Sequence, residues 1–354
     1  MKAFRQLHQP TSRTIEVDQK EYLFFGGTAY LGLLVNREYQ DLVIEGIHKY
    51  GLNNGTSRSN NVQLGIYDEA EALMAQRFGY ADGALFSSGY LAAQATVRSL
   101  VADKVYYAPH THPALWIGDR APEVLGHDFA LWGAKLVEEI NASPYESSLI
   151  ISNAIDNLKP ERYDFSFLAG INPSKRVCLI LDDSHGLGVV KRYDTSALMP
   201  EMSECTHIEV ILLASLAKGL GTDAGLVLGS KACIDRIKKS PIFMGASPSS
   251  PGGIYALTKG EKIYEQAFAS LHANIDFFKA HLDAESGLIY AEGFPVFTST
   301  NPHLYRYLYK NEVIISSFPY PLPHSPLLNR VVISALHSQE DLLRLTDVLQ
   351  DFGQ

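Results

Sequence analysis

The sequence predicts an α/β protein: a large domain on a mostly parallel central sheet, and a smaller α+β domain towards the C-terminus. Three observations carry this. Apolar runs recur at 104–108 (KVYYA), 148–152 (SLIIS), 177–181 (VCLIL), 210–214 (VILLA) and 225–229 (GLVLG), as expected of parallel strands buried on both faces. Helical or loop segments separate them, as crossovers between parallel strands require. After Ser240 a stretch rich in Ser, Pro and Gly leads into a different alternation of short runs and helices. The expected divisions are an N-terminal extended segment over 1–40, a large domain over 41–262 and a small domain over 263–354.

Taken in order, residues 22–35 (YLFFGGTAYLGLLV) are apolar but interrupted by glycines, which suits extended chain. From Ile66, the positions Ala70, Leu73, Met74 and Phe78 keep helical spacing, and Gly79 is a stop. GALF (83–86) reads as a short strand and SSGY (87–90) as the turn into an alanine-rich helix from about Tyr90 to Val101. The stretch 240–253 (SPIFMGASPSSPGG) reads as loop, and a long helical segment follows to about Leu282. GLIYA, EVIISS and RVVISAL then alternate with helices. The last helix opens on a capping box, Ser338 with Asp341, ahead of Leu342, Leu345 and Leu349.

The totals narrow the function classes. The 354 residues carry 30 basic and 39 acidic side chains, a net charge of −9, which argues against non-specific nucleic-acid binding. Cys178, Cys205 and Cys233 are odd in number and far apart, with no CxxC, so neither a disulfide framework nor a cysteine zinc site is expected. The N-terminus has no apolar signal core, and no long apolar stretch occurs anywhere. The expectation is a soluble, cytoplasmic protein without membrane partners.

Chemistry enters at VILLASLAKGLGT (210–222), where Lys218 is the only charged side chain between Glu209 and Asp223. An unpaired, desolvated lysine has a lowered pKa and, as a free amine, forms Schiff bases. Equally, Gly219 and Gly221 could simply turn the chain and leave the ammonium in water. Upstream, LILDDSHGLG (179–188) puts Asp182, Asp183 and His185 at the carboxyl end of an apolar strand, where ligands of open α/β sheets collect. With His110 and His112 these could ligate a metal, or they could be polar caps of a strand end. A third reading uses Lys218 as well. Pyridoxal phosphate (PLP) needs a lysine for its aldehyde, a carboxylate beside its pyridine nitrogen, a ring stacked on its face and a helix N-terminus for its phosphate. SSGY and the Ser215 hydroxyl supply candidates for the last.

These segments, together with YLGL (30–33), YDEAEALMAQRFGY before LFSSGY, THPAL (111–115), SLAKGLG (215–221) and NRVVISALHSQEDLLRL (329–345), stand in one order from about Glu16 to Asp351. In that order the chain resembles the α-oxoamine synthases, fold-type I PLP transferases of the aspartate aminotransferase-like class. The resemblance implies that Lys218 binds the cofactor aldehyde, Asp182 partners the pyridine nitrogen, His185 bonds the ring hydroxyl and His112, not His110, stacks on the ring. It implies a phosphate seat of Ser88, Gly89, Tyr90 and Ser215, with Ser247 reaching the phosphate of a neighbouring subunit, and hence a homodimer with shared sites. It implies Arg330 for the amino-acid carboxylate, a residue that would otherwise read as a strand-edge arginine in a surface ion pair. No metal is implied. The expected reaction is an acyl transfer in which an amino acid and an acyl thioester condense, with loss of CO2, to an α-amino ketone. A class I/II aminotransferase, a decarboxylase on the same scaffold and a PLP-binding homologue without turnover are the alternatives. The chain departs from the family where Thr28-Ala29 replaces an amide that assists with the substrate carboxylate, which leaves Thr28 as the substrate-binding candidate there, and where Asn153 stands about where relatives carry a glutamate. Its N-terminus is short, with Arg5 and Arg13 the only early arginines. The resemblance thus implies an intact cofactor apparatus and altered substrate-selecting positions.

Overall fold

Local signals set most element boundaries. The structure, a computed structural model, describes residues 3–118, 120–319, 324–325 and 327–353. Its strands are β1 (Thr14–Val17), β2 (Lys20–Phe25), β3 (Asp82–Phe86), β4 (Lys104–Tyr107), β5 (Ser147–Asn153), β6 (Ile155–Asp156), β7 (Glu161–Arg162), β8 (Arg176–Asp182), β9 (Ile208–Ser215), β10 (Gly225–Gly229), β11 (Ile289–Tyr290), β12 (Val296–Ser299), β13 (Val313–Pro319) and β14 (Leu327–Val332). Its helices are α1 (Arg37–Tyr50), α2 (Ile66–Arg77), α3 (Gly89–Ser99), α4 (Phe129–Ala142), α5 (Lys231–Lys238), α6 (Pro241–Gly245), α7 (Pro251–Lys259), α8 (Glu261–His281), α9 (Leu304–Lys310) and α10 (Gln339–Gly353).

The larger assembly centres on a sheet of order β3-β10-β9-β8-β5-β4. Alternation along each strand divides its side chains between two cores. In β8, Leu179 and Leu181 face the core shared with α2, α4, α7 and α8, while Ile180 faces the one shared with α3 and α5. The pairs β4–β5, β5–β8 and β8–β9 are parallel. GLVLG, read as one more parallel strand, is β10 and runs antiparallel to both β3 and β9. The reason is length: the connection 216–224 carries no helix and is too short for a parallel crossover. That reversal folds the chain around Lys218 back across the end of the sheet.

A second correction concerns 240–253. It contains α6 and the start of α7, each beginning at a proline behind a serine, Ser240-Pro241 and Ser250-Pro251. Proline suits the first helical position, where no N–H is needed, and the Ser240 hydroxyl accepts from the Phe243 amide at 3.1 Å. Composition alone suggested loop; the order of the residues sets the helix starts.

The second sheet has the order β1-β2-β13-β14-β12-β11. Its N-terminal pair lies in the segment read as an extended arm over 1–40. There β1 and β2 form a hairpin, and β2 pairs in parallel with β13, Leu23 opposite Val313. His337, in the loop before α10, fastens the same region. Its Nδ1 accepts from the Ser334 amide at 3.0 Å and its Nε2–H donates to the Phe24 carbonyl at 3.1 Å. Burial pushes its pKa down to about 4. At the start of α10 the capping box closes: the Asp341 amide donates to the Ser338 hydroxyl at 3.2 Å and the Ser338 amide to the Asp341 carboxylate at 2.9 Å. Arg13 donates to both oxygens of that carboxylate, at 2.6 and 2.8 Å. No helix among the described residues is long and apolar enough to cross a membrane.

Candidate active site

The carboxyl ends of β4, β5, β8 and β9 and the end of β3 lie along one edge of the central sheet, because Phe86 and Ser215 both face Gly225 while Asn153 faces Asp182. At this edge His112, Asn153, Ile155, Asn157, Asp182, His185 and Lys218 line one small cavity. Residues distant in sequence thus meet where the strand polarity places them.

Lys218 sits in the β9–β10 connection. The Leu216 amide donates to the Ala224 carbonyl at 2.9 Å, and the Leu220 carbonyl accepts from the hydroxyls of Tyr39 at 3.2 Å and Tyr264 at 3.1 Å. Gly221 takes φ 64 and presses on Leu33, so a side chain there would be both strained and crowded. The lysine is half-buried and lines the cavity, whose walls desolvate its amine. Burial lowers its pKa, Asp182 partly opposes this, and the Arg330 charge adds to it. A solvated turn is thereby replaced by an enclosed amine.

The two adjacent aspartates diverge. Asp182 lines the cavity, and one of its oxygens accepts from the Ser184 amide at 2.9 Å. Asp183 faces away and is fully buried. It accepts from the Ser196 amide at 2.7 Å, the Thr195 hydroxyl at 3.0 Å and the Ser196 hydroxyl. Burial pushes its pKa up to about 7 in spite of those donors. Asp183 is therefore a strut of the 183–197 loop. Among the described residues no group of three or more His, Cys, Asp and Glu gathers to hold a metal.

His185 has a partner on each nitrogen: the Tyr30 hydroxyl at 2.8 Å from Nδ1 and the Asn157 amide at 3.0 Å from Nε2. Burial, then the charges of Lys218 and Arg330 and the nearby His112, hold its pKa well below the ordinary value. His112 accepts at Nδ1 from the Ala114 amide at 3.1 Å, and burial lowers its pKa too, with Asp182 opposing and Lys218 adding. His110 stands outside this cavity and lines a neighbouring one with Trp116 and His127.

At the start of α3, Ser88 caps the helix by accepting from the Leu91 amide at 3.2 Å. The amides of Gly89 and Tyr90 at the first two helical positions have no helical partner. Ser215 packs against Gly89 so closely that a Cβ there would come within 2.5 Å of the Ser215 Cβ and 3.0 Å of its hydroxyl. Two free amides, a hydroxyl and the positive end of an eleven-residue helix converge, which suits a phosphate. Tyr90 is 61% exposed, so the contribution there is backbone. Ser247 is exposed in the loop between α6 and α7 and is not among the lining residues of the Lys218 cavity.

Arg330, on β14, is only 4% exposed, and no carboxylate pairs with it among the described residues; its Nε and Nη2 are buried without a hydrogen-bond partner. The surface ion pair expected of a strand-edge arginine is ruled out. It stands by Tyr30, where its charge pulls the phenol pKa down against the dominant effect of burial. Thr28 lies in a separate cavity of 260 Å³, with Gly26, Gly27, Ala217 and Ser334 among its walls. The neighbouring chain residue Ala217 links this space to Lys218.

Three participants carry no role in the sequence reading. Tyr30 was visible inside YLGL, whereas Asn157 follows the two-residue β6, which no sequence pattern announced. Ser184 joins two parts of the site, since its amide bonds Asp182 and its hydroxyl accepts from the Ser215 amide at 2.8 Å. Its place between DD and H was the available signal.

The sequence profile of the family described as aminotransferase class I and II matches residues 29–349. An 8-amino-7-oxononanoate synthase of Paracidovorax citrulli is 26% identical across 96% of this chain and 87% of its own length. One of Coprothermobacter proteolyticus is 22% identical across 96% and 90%. Among solved structures, serine palmitoyltransferase of Sphingomonas wittichii superposes with a TM-score of 0.83 at 15% identity, covering 98% of this chain and 91% of that one. That likeness gives the fold.

Proposed function

The chain belongs to the aminotransferase class I and II family, an assignment that brings the fold-type I architecture and PLP, and from that premise we propose an α-oxoamine synthase. The proposed reaction is amino acid plus acyl thioester giving α-amino ketone, CO2 and free thiol, as in the 8-amino-7-oxononanoate synthases it is similar to. The observation that carries it is the Lys218 amine in one cavity with Asp182, His112 and His185, with a buried arginine close by whose Nε and Nη2 have no hydrogen-bond partner.

The residues fit the cofactor. Ser88, Gly89, Tyr90 and Ser215 would hold its phosphate, Lys218 its aldehyde, His112 its ring face, and Asp182 and His185 its nitrogen and hydroxyl. When bound, PLP supplies an electron sink for a carbanion next to the amino group. Lys218 then serves as the base: burial lowers its pKa, which favours the free amine that takes the α-proton. Asp182 keeps a proton on the ring nitrogen. Arg330 binds the substrate carboxylate through its two partnerless nitrogens, a fork geometry that suits two oxygens. The α-carbon forms the new C–C bond to the acyl carbonyl as the C–S bond breaks and the thiolate leaves, taking a proton from solvent; the carboxylate then leaves as CO2 and Lys218 returns its proton to the α-carbon. In this reading the enzyme is a cytoplasmic homodimer in which Ser247 completes the phosphate seat of its partner.

The test is mass spectrometry of products after incubation with PLP and panels of amino acids and acyl thioesters. Release of CO2 with an α-amino ketone is the expected result. Exchange of amino groups with a 2-oxo acid and no CO2 would make the protein an aminotransferase. Cofactor uptake with no substrate consumed would make it a binding homologue. Arg330→Ala should weaken amino-acid binding by tenfold or more, since a hydrogen bond to a charged group contributes roughly 1.5–3 kcal/mol.

A further inference from the structure

Asn153 ends β5, and both halves of its side-chain amide are engaged. Nδ2 donates to the His110 carbonyl at 2.8 Å, and Oδ1 accepts from the His112 backbone N–H at 3.1 Å. The clip spans Thr111, which is itself pinned. Its hydroxyl donates to the Ala108 carbonyl at 2.7 Å, and its carbonyl accepts from the Trp116 indole at 3.2 Å. His110 has φ 56, the left-handed region that a non-glycine residue keeps only when its surroundings impose it. Two residues on, His112 accepts at Nδ1, so the neutral ring carries its proton on Nε2.

We propose that Asn153 is the positioning residue that aims His112 into the cavity, by locking the His110–His112 backbone with one donor and one acceptor. A primary amide of this length does both at once, whereas an ionised carboxylate only accepts. A carboxylate of the same length still accepts from His112 but sets an oxygen against the His110 carbonyl. It would also stand directly across the β5–β8 pair from Asp182, where like charges repel. The amide leaves Asp182 the sole carboxylate among the residues lining this cavity. The assignment rests on the proposed function only where cofactor is measured; the loop geometry stands without it.

The test compares Asn153→Asp, His110→Gly and the double variant in the full-length protein. Amide hydrogen exchange over 108–116 is followed without cofactor; PLP affinity and the visible circular dichroism of bound PLP are followed with it. Asn153→Asp should speed exchange in this loop and weaken PLP, each by tenfold or more, and should change the dichroism. Glycine at 110 takes the left-handed conformation unaided, so the double variant should recover most of both losses. Unchanged exchange and dichroism in Asn153→Asp would overturn the proposal. A double variant as impaired as Asn153→Asp would also overturn it, since the added charge would then be the cause. Should Asn153→Asp fail to fold, Asn153→Ser, too short to span both groups, replaces it with the same expected outcomes. If the protein takes up no PLP at all, the proposed function fails, and the exchange measurement still decides the role of Asn153.

Discussion

Asp182 and Asp183 are chemically identical neighbours with different work: Asp182 ends β8 and lines the cavity, and Asp183, the next residue, turns into the buried 183–197 loop. Asp182→Asn should slow α-proton exchange of a bound amino acid by orders of magnitude, because the cavity loses its sole lining carboxylate. Asp183→Asn should leave that rate within a few-fold and instead lower stability by about 1–3 kcal/mol, as expected when buried donors lose an acceptor. Isotope exchange in deuterated buffer and urea unfolding separate the two effects; equal loss of exchange in both variants would refute the division. For Lys218, borohydride reduction of the PLP-loaded protein should leave the cofactor covalently attached in the wild type and not in Lys218→Ala, read by intact mass. Much of this was legible in sequence. An isolated charge in an apolar run marks Lys218, and the end of an apolar strand marks the aspartates. Tyr30, Asn157 and Ser184 were not legible in their roles, because each acts on a residue brought near by strand order rather than by spacing along the chain.

Elements whose ends carry local capping chemistry were the readable ones. The α10 start is an example, since Ser338 and Asp341 make both bonds of their motif within one turn. Arg13 was invisible there, as its partner lies at the far end of the chain. Ser338→Ala should lower stability by about 1 kcal/mol. Asp341→Ala should cost more, since it removes a cap and leaves Arg13 without its two bonds; unfolding midpoints of the two variants and of Arg13→Ala test the order. The direction of β10 was illegible for a different reason. An apolar run of five residues reads the same in either orientation, and only the length of the connection around Lys218 decides it.

At the scale of the whole molecule, His337 ties the loop before α10 to β2 and stays neutral to do so. Its ordinary pKa near 6.5 lies above its folded value of about 4. Between those limits the unfolded chain binds the extra proton, so this contribution is complete above about pH 6.5 and is lost as pH falls towards 4, about 3 kcal/mol in all. Asp183 pulls the other way over much of that range, because the folded protein keeps a proton that the unfolded chain has released. The measurement is therefore a difference: urea unfolding of wild type and His337→Gln at about pH 7 and about pH 4.5. The wild type should lose its advantage over the variant at the lower pH. An advantage that does not change with pH would refute the assignment.

The parallel pairing of β2 with β13 also orders events in time. Synthesis runs from the N-terminus, so β2 emerges early and waits with one edge open until Val313 and its neighbours follow. Every wall of the Lys218 cavity has left the ribosome by then, whereas Arg330 has not. A nascent chain halted after Ser299 holds all the groups that would grip the cofactor and lacks the arginine assigned to the substrate carboxylate.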